Sequence, residues 1–227
     1  MEQLSLAWGG HYAMVEPSSF RVDYVINPFM DPAHQPDPVR AHDQWQELAE
    51  VLRALGARVD EIPAMPAAPD MVYAMNLGLV VTGPDTAPPG PRRSVVMSHM
   101  RHHQRRVETP AARAWFERQG CLARHLGKDG VGAHFEAGDA FPWRGELVVG
   151  HGPRTDESAL CQLAAELGVA VHGVRIVHPA MYHLDLAFCP LDEEHALVCP
   201  TAFDAVSAHA LLARVPRPIV LTEEEAI

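Results

Sequence analysis

The sequence predicts a mixed α/β fold assembled from repeated units, each a β-hairpin followed by a helix and one further strand. Three observations point there. Short apolar runs alternate with amphipathic helical stripes along the chain, and glycines stand where helix C-terminal caps belong. The order of elements also restarts at intervals of roughly 45 residues, a period at which repetition signifies circular or stacked architectures. The likeness between units lies in element order, with little residue similarity. A ring of ββαβ modules places the connecting loops around one channel, where residues far apart in sequence converge.

Taken in order, Phe20 to Val25 alternates apolar and polar residues as a half-buried strand does, and Asn27-Pro28 ends it with a turn. A helix follows from about Val39 to Leu55, with Trp45, Leu48, Ala49, Val51, Leu52 and Leu55 on one stripe. Gly56 caps it, and Arg58 to Ile62 returns as a strand. The second unit has strand residues from Met71 to Val81, a Pro/Gly-rich turn across Gly83 to Pro91, a strand at Ser94 to Met97 and a helix near Pro110 to Arg118 capped by Gly120. The third has a strand at Phe135 to Phe141, a turn at Trp143-Arg144-Gly145, a strand at Glu146 to Val149, a helix from about Asp156 to Leu167, then Gly168 and an extended Val169 to Ile176. The fourth runs through Leu184 to Leu191, a turn at Asp192 to His195, Ala196 to Cys199, a helix over Ala205 to Ala213 and an extended Pro218 to Leu221. Thr222 and Glu225 then make a capping box, the start of a helix whose body is expected in a further module.

The 227 residues suffice for one domain with a sizeable core, with 48% hydrophobic and 21% charged residues. The net charge of -11, from 29 acidic against 18 basic residues, argues against a nucleic-acid footprint. No apolar run approaches the roughly 18 residues of a membrane span, and Met1-Glu2-Gln3-Leu4 is unlike a signal peptide, so the expected address is the cytoplasm. The four cysteines, Cys121, Cys161, Cys189 and Cys199, are irregularly spaced and read as reduced thiols. His99, His102 and His103 have metal-like spacing if helical, but no fourth ligand accompanies them and their neighbours are cationic, so a solvated loop is expected and no metal.

Three strings hold the chemistry: Phe-Glu-Ala-Gly-Asp at Phe135 to Asp139, Gly-Pro-Arg-Thr at Gly152 to Thr155, and Tyr-His-Leu-Asp at Tyr182 to Asp185. Glu136 and Asp139 flank a small turn that lets backbone approach closely, although two acids on a turn are also an ordinary solvated feature. Arg154 precedes a helix start, and its planar fork suits a carboxylate. His183 and Asp185 share a face in an extended chain, where the histidine can move protons near neutral pH or be satisfied in the core by the aspartate.

In this order the strings resemble the guanidino-group-modifying enzymes: arginine deiminases, dimethylarginine dimethylaminohydrolases, arginine dihydrolases and amidinotransferases. The resemblance extends over essentially the whole chain, including Asn27-Pro28-Phe29-Met30-Asp31, Pro69 to Asn76 and the pair Arg105 and Glu108. It implies a pentein-like, pseudo-fivefold α/β propeller and hydrolysis of arginine or methylarginine guanidinium groups through a cysteine thiolate and a covalent amidino-thioether, without cofactor or metal. By motif, His183 resembles the acid/base, Glu136 the carboxylate that binds the guanidinium and orients that step, and Asp185 a further carboxylate contact. Arg105 and Arg154 resemble clamps for the substrate carboxylate, Asp70 an acid near the pocket mouth, and Asn27 a substrate-side asparagine. Asn76 stands where deiminases have an aspartate, which tilts the reading toward dihydrolase chemistry.

The family's nucleophile lies near the C-terminus after a Gly-rich stretch. Residues 1–227 are therefore expected to be one propeller domain lacking its final module and inactive alone, since neither Cys189 nor Cys199 stands in a suitable context. An amidinotransferase and a non-catalytic binder of an arginine-like ligand are the alternatives. The expected partner is a small guanidino compound, with neither nucleic acid nor membrane, and a homo-oligomer is left open.

Overall fold

The computed structural model describes residues 10–82, 93–127 and 132–227. The Pro/Gly-rich turn expected across Gly83 to Pro91 lies outside the described residues, as do the first nine.

The fold is mixed α/β. The first unit is β1 (His11–Val15), α1 (Pro38–Ala54) and β2 (Arg58–Ile62), with β1 and β2 paired in parallel. Asp37 starts α1 by accepting from the backbone N–H groups of Val39 and Arg40, Pro38 presets the first turn, and Gly56 follows the helix at φ 88°. The second unit is β3 (Gly78–Thr82), β4 (Arg93–Met97), α2 (Glu108–Arg118) and β5 (Leu122–Arg124). The third is β6 (Ala140–Trp143), β7 (Glu146–His151), α3 (Ser158–Leu167) and β8 (Val171–Arg175). The fourth is β9 (Phe188–Pro190), β10 (His195–Val198), α4 (Ala205–Arg214) and β11 (Arg217–Val220). A final helical turn, α5 (Glu223–Ala226), has the expected capping box between Thr222 and Glu225.

Each three-stranded sheet has the same plan: an antiparallel hairpin whose second strand pairs in parallel with the strand after the helix. The β6–β7 hairpin turns on Arg144 and Gly145 at φ 52° and 77°, the left-handed geometry that matches strand twist. Among the described residues the β1–β2 sheet repeats only the parallel half of the plan. The core runs from unit to unit. Met71, Leu77, Met97 and Trp115 join the first two; Val96, Phe135, Leu147 and Leu163 the second and third; Phe141, Trp143, Phe188 and Leu211 the third and fourth.

Several expected strands are not strands. Phe20 to Val25 is irregular, and the first strand lies upstream at His11–Val15. With no strand alongside, Val22 gives its backbone N–H to Gln35 Oε1 and takes a bond from Gln35 Nε2 at its carbonyl. Most of Met71 to Leu77 and Ala137 to Asp139 is 3-10 turn, as is Leu184 to Leu186, so β3, β6 and β9 are shorter than expected. Side chains from other units capture the main-chain donors there: Ser98 Oγ accepts from Ala137 N and Asn76 Oδ1 from Gly138 N. The α1 stripe is also narrower than its pattern. Ala49 is buried, but Leu48, Val51 and Leu55 are 53%, 50% and 79% exposed, because a two-stranded sheet offers the helix little to cover. Among the described residues no helix is long and apolar enough to cross a membrane.

Candidate functional site

The turns that replaced the expected strands gather at one place. Residues of Asp70 to Asn76, Arg105, Arg154 and Tyr182 to Leu186 line a cavity of about 350 Å³, closed on one side by Ile26 and Asn27. Seven of the eight sequence-derived site residues line it: Asn27, Asp70, Asn76, Arg105, Arg154, His183 and Asp185. Glu136 stands behind them, fully buried and bonded to two.

His183 and Glu136 are the centre of the arrangement. The ring Nε2 of His183, which is 3% exposed, donates to Glu136 Oε2 at 2.7 Å. Arg154 Nη1 donates to the same oxygen at 3.1 Å, and Glu136 Oε1 accepts the backbone N–H of Arg101 at 3.0 Å. Burial pushes the Glu136 carboxyl up, but the His183 bond and the charges of His183, Arg154 and Arg105 outweigh it and hold it at about 2. Burial pushes His183 down, and the carboxylates of Asp139, Glu136 and Asp185 more than offset this, so the imidazole stays protonated above its ordinary value. Asp185 is raised by burial, with His183 opposing. The result is a protonated donor held against a fixed anion.

Asn76 spends its Oδ1 on Gly138 N at 3.1 Å, so the atoms it has left for the cavity are the two N–H donors of its amide. A Cβ at Gly138 would collide with both Asn76 and Asp185, and this close approach is the reason for glycine there. Arg105, 3% exposed, gives Nε and Nη2 to Glu108 at 2.8 Å each and a further bond to the Asp70 carbonyl, leaving Nη1 for a ligand. Glu108 raises the Arg105 guanidinium above its usual range although burial opposes it. Arg154 is more committed than its string suggested: Nη2 donates to Ile26 O at 3.0 Å and the guanidinium lies over the Tyr182 ring at 4.5 Å. Asn27 is an ordinary turn as well as a wall of the cavity, since its Oδ1 accepts the Phe29 N–H.

In the sequence Tyr73 and Tyr182 stand only as members of their strings, and neither Asp139 nor Tyr24 has an assigned role. Asp139 is fully buried and pushed up to about 7 by that burial. Its Oδ1 accepts Leu184 N at 2.8 Å and its Oδ2 accepts Thr155 Oγ1 at 2.6 Å, while the threonine oxygen accepts Glu136 N at 3.1 Å. One carboxyl thus fastens all three strings to each other. Asp139→Ala strands two buried donors and is expected to lower stability by about 2–4 kcal/mol. Asp139→Asn, which keeps an acceptor for Leu184 N, should lose less. Urea midpoints for the two variants check this, and equal midpoints for Asp139→Ala and the parent would refute it.

His99, His102 and His103 do not form a ligand set. His99 stacks on His134 with ring centroids 4.7 Å apart, and His103 opens a 3-10 turn. Among the described residues no group of three or more His, Cys, Asp or Glu side chains is placed to hold a metal. The cysteines are elsewhere too. Cys161 is exposed on α3, Cys121 lies in the second unit, Cys189 lies on β9 with its Sγ against Pro190 O, and Cys199 is buried beside Thr201 and Thr222. None lines the cavity.

The family model described as arginine deiminase matches residues 91–218, more than half of the chain. The bifunctional arginine dihydrolase/ornithine cyclodeaminase ArgZ of Synechocystis is 35% identical over 220 residues, covering 94% of this chain and 29% of that protein. The N(G),N(G)-dimethylarginine dimethylaminohydrolase of Mycobacterium tuberculosis is 33% identical, covering 95% of this chain and 67% of its own length. The solved N-terminal domain of the cyanobacterial ArgZ, bound to substrate, superposes with a TM-score of 0.82 at 34% identity, covering 94% of this chain and 76% of that one. The chain thus spans less than a third of the bifunctional relative and two thirds or more of the others.

Proposed function

This chain belongs to the arginine deiminase family, and we propose from that premise that it supplies the guanidine-binding cradle and the proton shuttle of a hydrolase acting on arginine or a methylated arginine. The observation that carries this reading is the buried His183–Glu136 pair at 2.7 Å, beside a cavity that Asp185, Asn76 and Arg105 also line. A protein that only binds has little use for a positioned acid/base of this kind, which favours the hydrolase.

In the proposed reaction a thiolate attacks the guanidinium carbon and forms a C–S bond. The His183 N–H gives its proton to the departing nitrogen as the C–N bond breaks. Water then attacks the amidino-thioether, His183 takes a proton from it, and the C–S bond breaks to return the thiolate. Glu136 holds the imidazole and stabilises its charged form, Asp185 faces the cationic guanidinium, and the free Nη1 of Arg105 meets the substrate carboxylate. Donors from Asn76 in place of an anion favour dihydrolase chemistry, in which both terminal nitrogens leave, and ArgZ bears the name of such an enzyme.

We assign the thiol to residues outside these 227, because no cysteine here reaches the cavity. Among the described residues the β1–β2 sheet has only the parallel half of the plan that the other three sheets complete. Calorimetry with arginine should show binding to the 227-residue chain, while product analysis should show neither citrulline nor ornithine. A form extended by the thiol-bearing segment should turn over. Product from the unextended chain would overturn the assignment of the thiol, and absence of arginine binding would overturn the cradle.

A further inference from the structure

Beside the site cavity lies a second one of about 330 Å³, and the two share Asn27, Asp70, Tyr73 and Tyr182. Its outer wall is the segment from Phe20 to Pro36, which presents Phe20, Phe29 and Met30 to it. That wall is shaped chain. Gln35 bonds both backbone groups of Val22, Asp31 holds His34 and the Ala33 N–H, and Phe20 meets Tyr73 edge to face at 5.8 Å.

Asp70 stands at the junction of the cavities and is 2% exposed. Its Oδ2 accepts the Tyr24 hydroxyl at 3.1 Å, but its Oδ1 is buried with no hydrogen-bond partner among the described residues. A buried carboxylate oxygen left unpaired is costly, so the site is built for a donor that the protein does not itself provide. Arg105, the cation with a nitrogen to spare, lines only the first cavity. Asp70, whose carbonyl accepts from Arg105 Nη2, is the acid next to that cation and belongs to both cavities, so for a ligand with its carboxylate on Arg105 it is the acid offered to the α-nitrogen, at the entrance to the second cavity.

We propose that this second cavity is a subsite for an apolar acyl group on the α-nitrogen of arginine, as in a peptide that ends in arginine, with the amide N–H donating to Asp70 Oδ1. The proposal rests on the reading of the first cavity as the guanidine site. The aromatic and thioether side chains give the acyl group a face to bury against, while Asp70 fixes the point of attachment.

Calorimetry with free arginine, Nα-acetylarginine and Nα-benzoylarginine tests this on the chain as it stands. The benzoyl compound should bind about tenfold or more tightly than the acetyl compound, the gain expected from burying a ring. Met30→Trp fills the cavity and should abolish that preference while leaving the affinity for free arginine unchanged. Phe29→Ala, at a position 59% exposed, should reduce the preference and serves if the tryptophan disturbs the segment. Equal affinity for the two acylated compounds, with arginine still bound, overturns the subsite and spares the first cavity. Loss of all three ligands overturns both.

Discussion

Glu136→Gln should lower the pKa of His183 and, in a form that has the thiol, reduce turnover by roughly a hundredfold to ten-thousandfold, the contribution usual for a general acid/base. The imidazole is held charged by the carboxylates around it against the burial that would neutralise it, and Glu136 is the one in direct contact. The same pair ties stability to pH. His183 is raised from 6.5, so its contribution is complete below that value and fades as pH rises through the folded-state pKa. Glu136 is lowered from 4.5 to about 2, so its contribution is present above 4.5 and fades as pH falls through that interval. Asp139 acts in the opposite sense: raised from 3.8 to about 7, it weakens the fold as pH climbs through that range. Comparing urea midpoints of Glu136→Gln and the parent across pH sets the Asp139 contribution aside to first order. The difference should be greatest between about pH 4.5 and 6.5, and NMR titration of the imidazole should show its pKa falling in the variant. A His183 titration that Glu136→Gln leaves in place would remove Glu136 from the shuttle.

Breaking the pair of Arg105 and Glu108 should produce the largest loss of stability. Both side chains are buried, at 3% and 0% exposure, and the contact is two-pronged. Glu108→Ala leaves a guanidinium uncompensated in the interior and should destabilise by about 3–5 kcal/mol. The double variant Arg105→Met with Glu108→Leu replaces the pair by apolar groups and should regain much of that loss. It should not regain arginine binding, because the cation proposed for the substrate carboxylate is gone. Thermal unfolding and calorimetry on the two variants separate the roles. Undiminished arginine affinity in the double variant would make Arg105 a purely structural residue.

The fold is most legible in the sequence where chemistry is local. The caps of α1 and α5, the left-handed turn at Arg144-Gly145 and the helices themselves follow from residues within one turn of each other. It is least legible at the apolar runs at Met71, Phe135 and Leu184, where alternation and spacing suit a strand as well as a turn. In the last two runs backbone donors are taken by Ser98, Asn76 and Asp139, side chains 39, 62 and 45 residues away in sequence. The placement of His183 and Asp185 on one cavity stands, although a 3-10 turn delivers it in place of the extended chain expected.

The sequence by itself therefore determined the repeating plan and the family, and named residues that the fold brings to one cavity, because short-range propensity and motif order are written along one dimension. The tertiary structure alone decided which partner each charge takes. Arg154 turns to Glu136 and Ile26, Arg105 to Glu108, and Asp139 to Thr155 and Leu184, while Asp70 keeps one oxygen unpaired between two cavities. Hydrogen bonds and desolvation act over a few ångströms in space, and no spacing in the chain encodes which distant loops the packed core will bring within that reach.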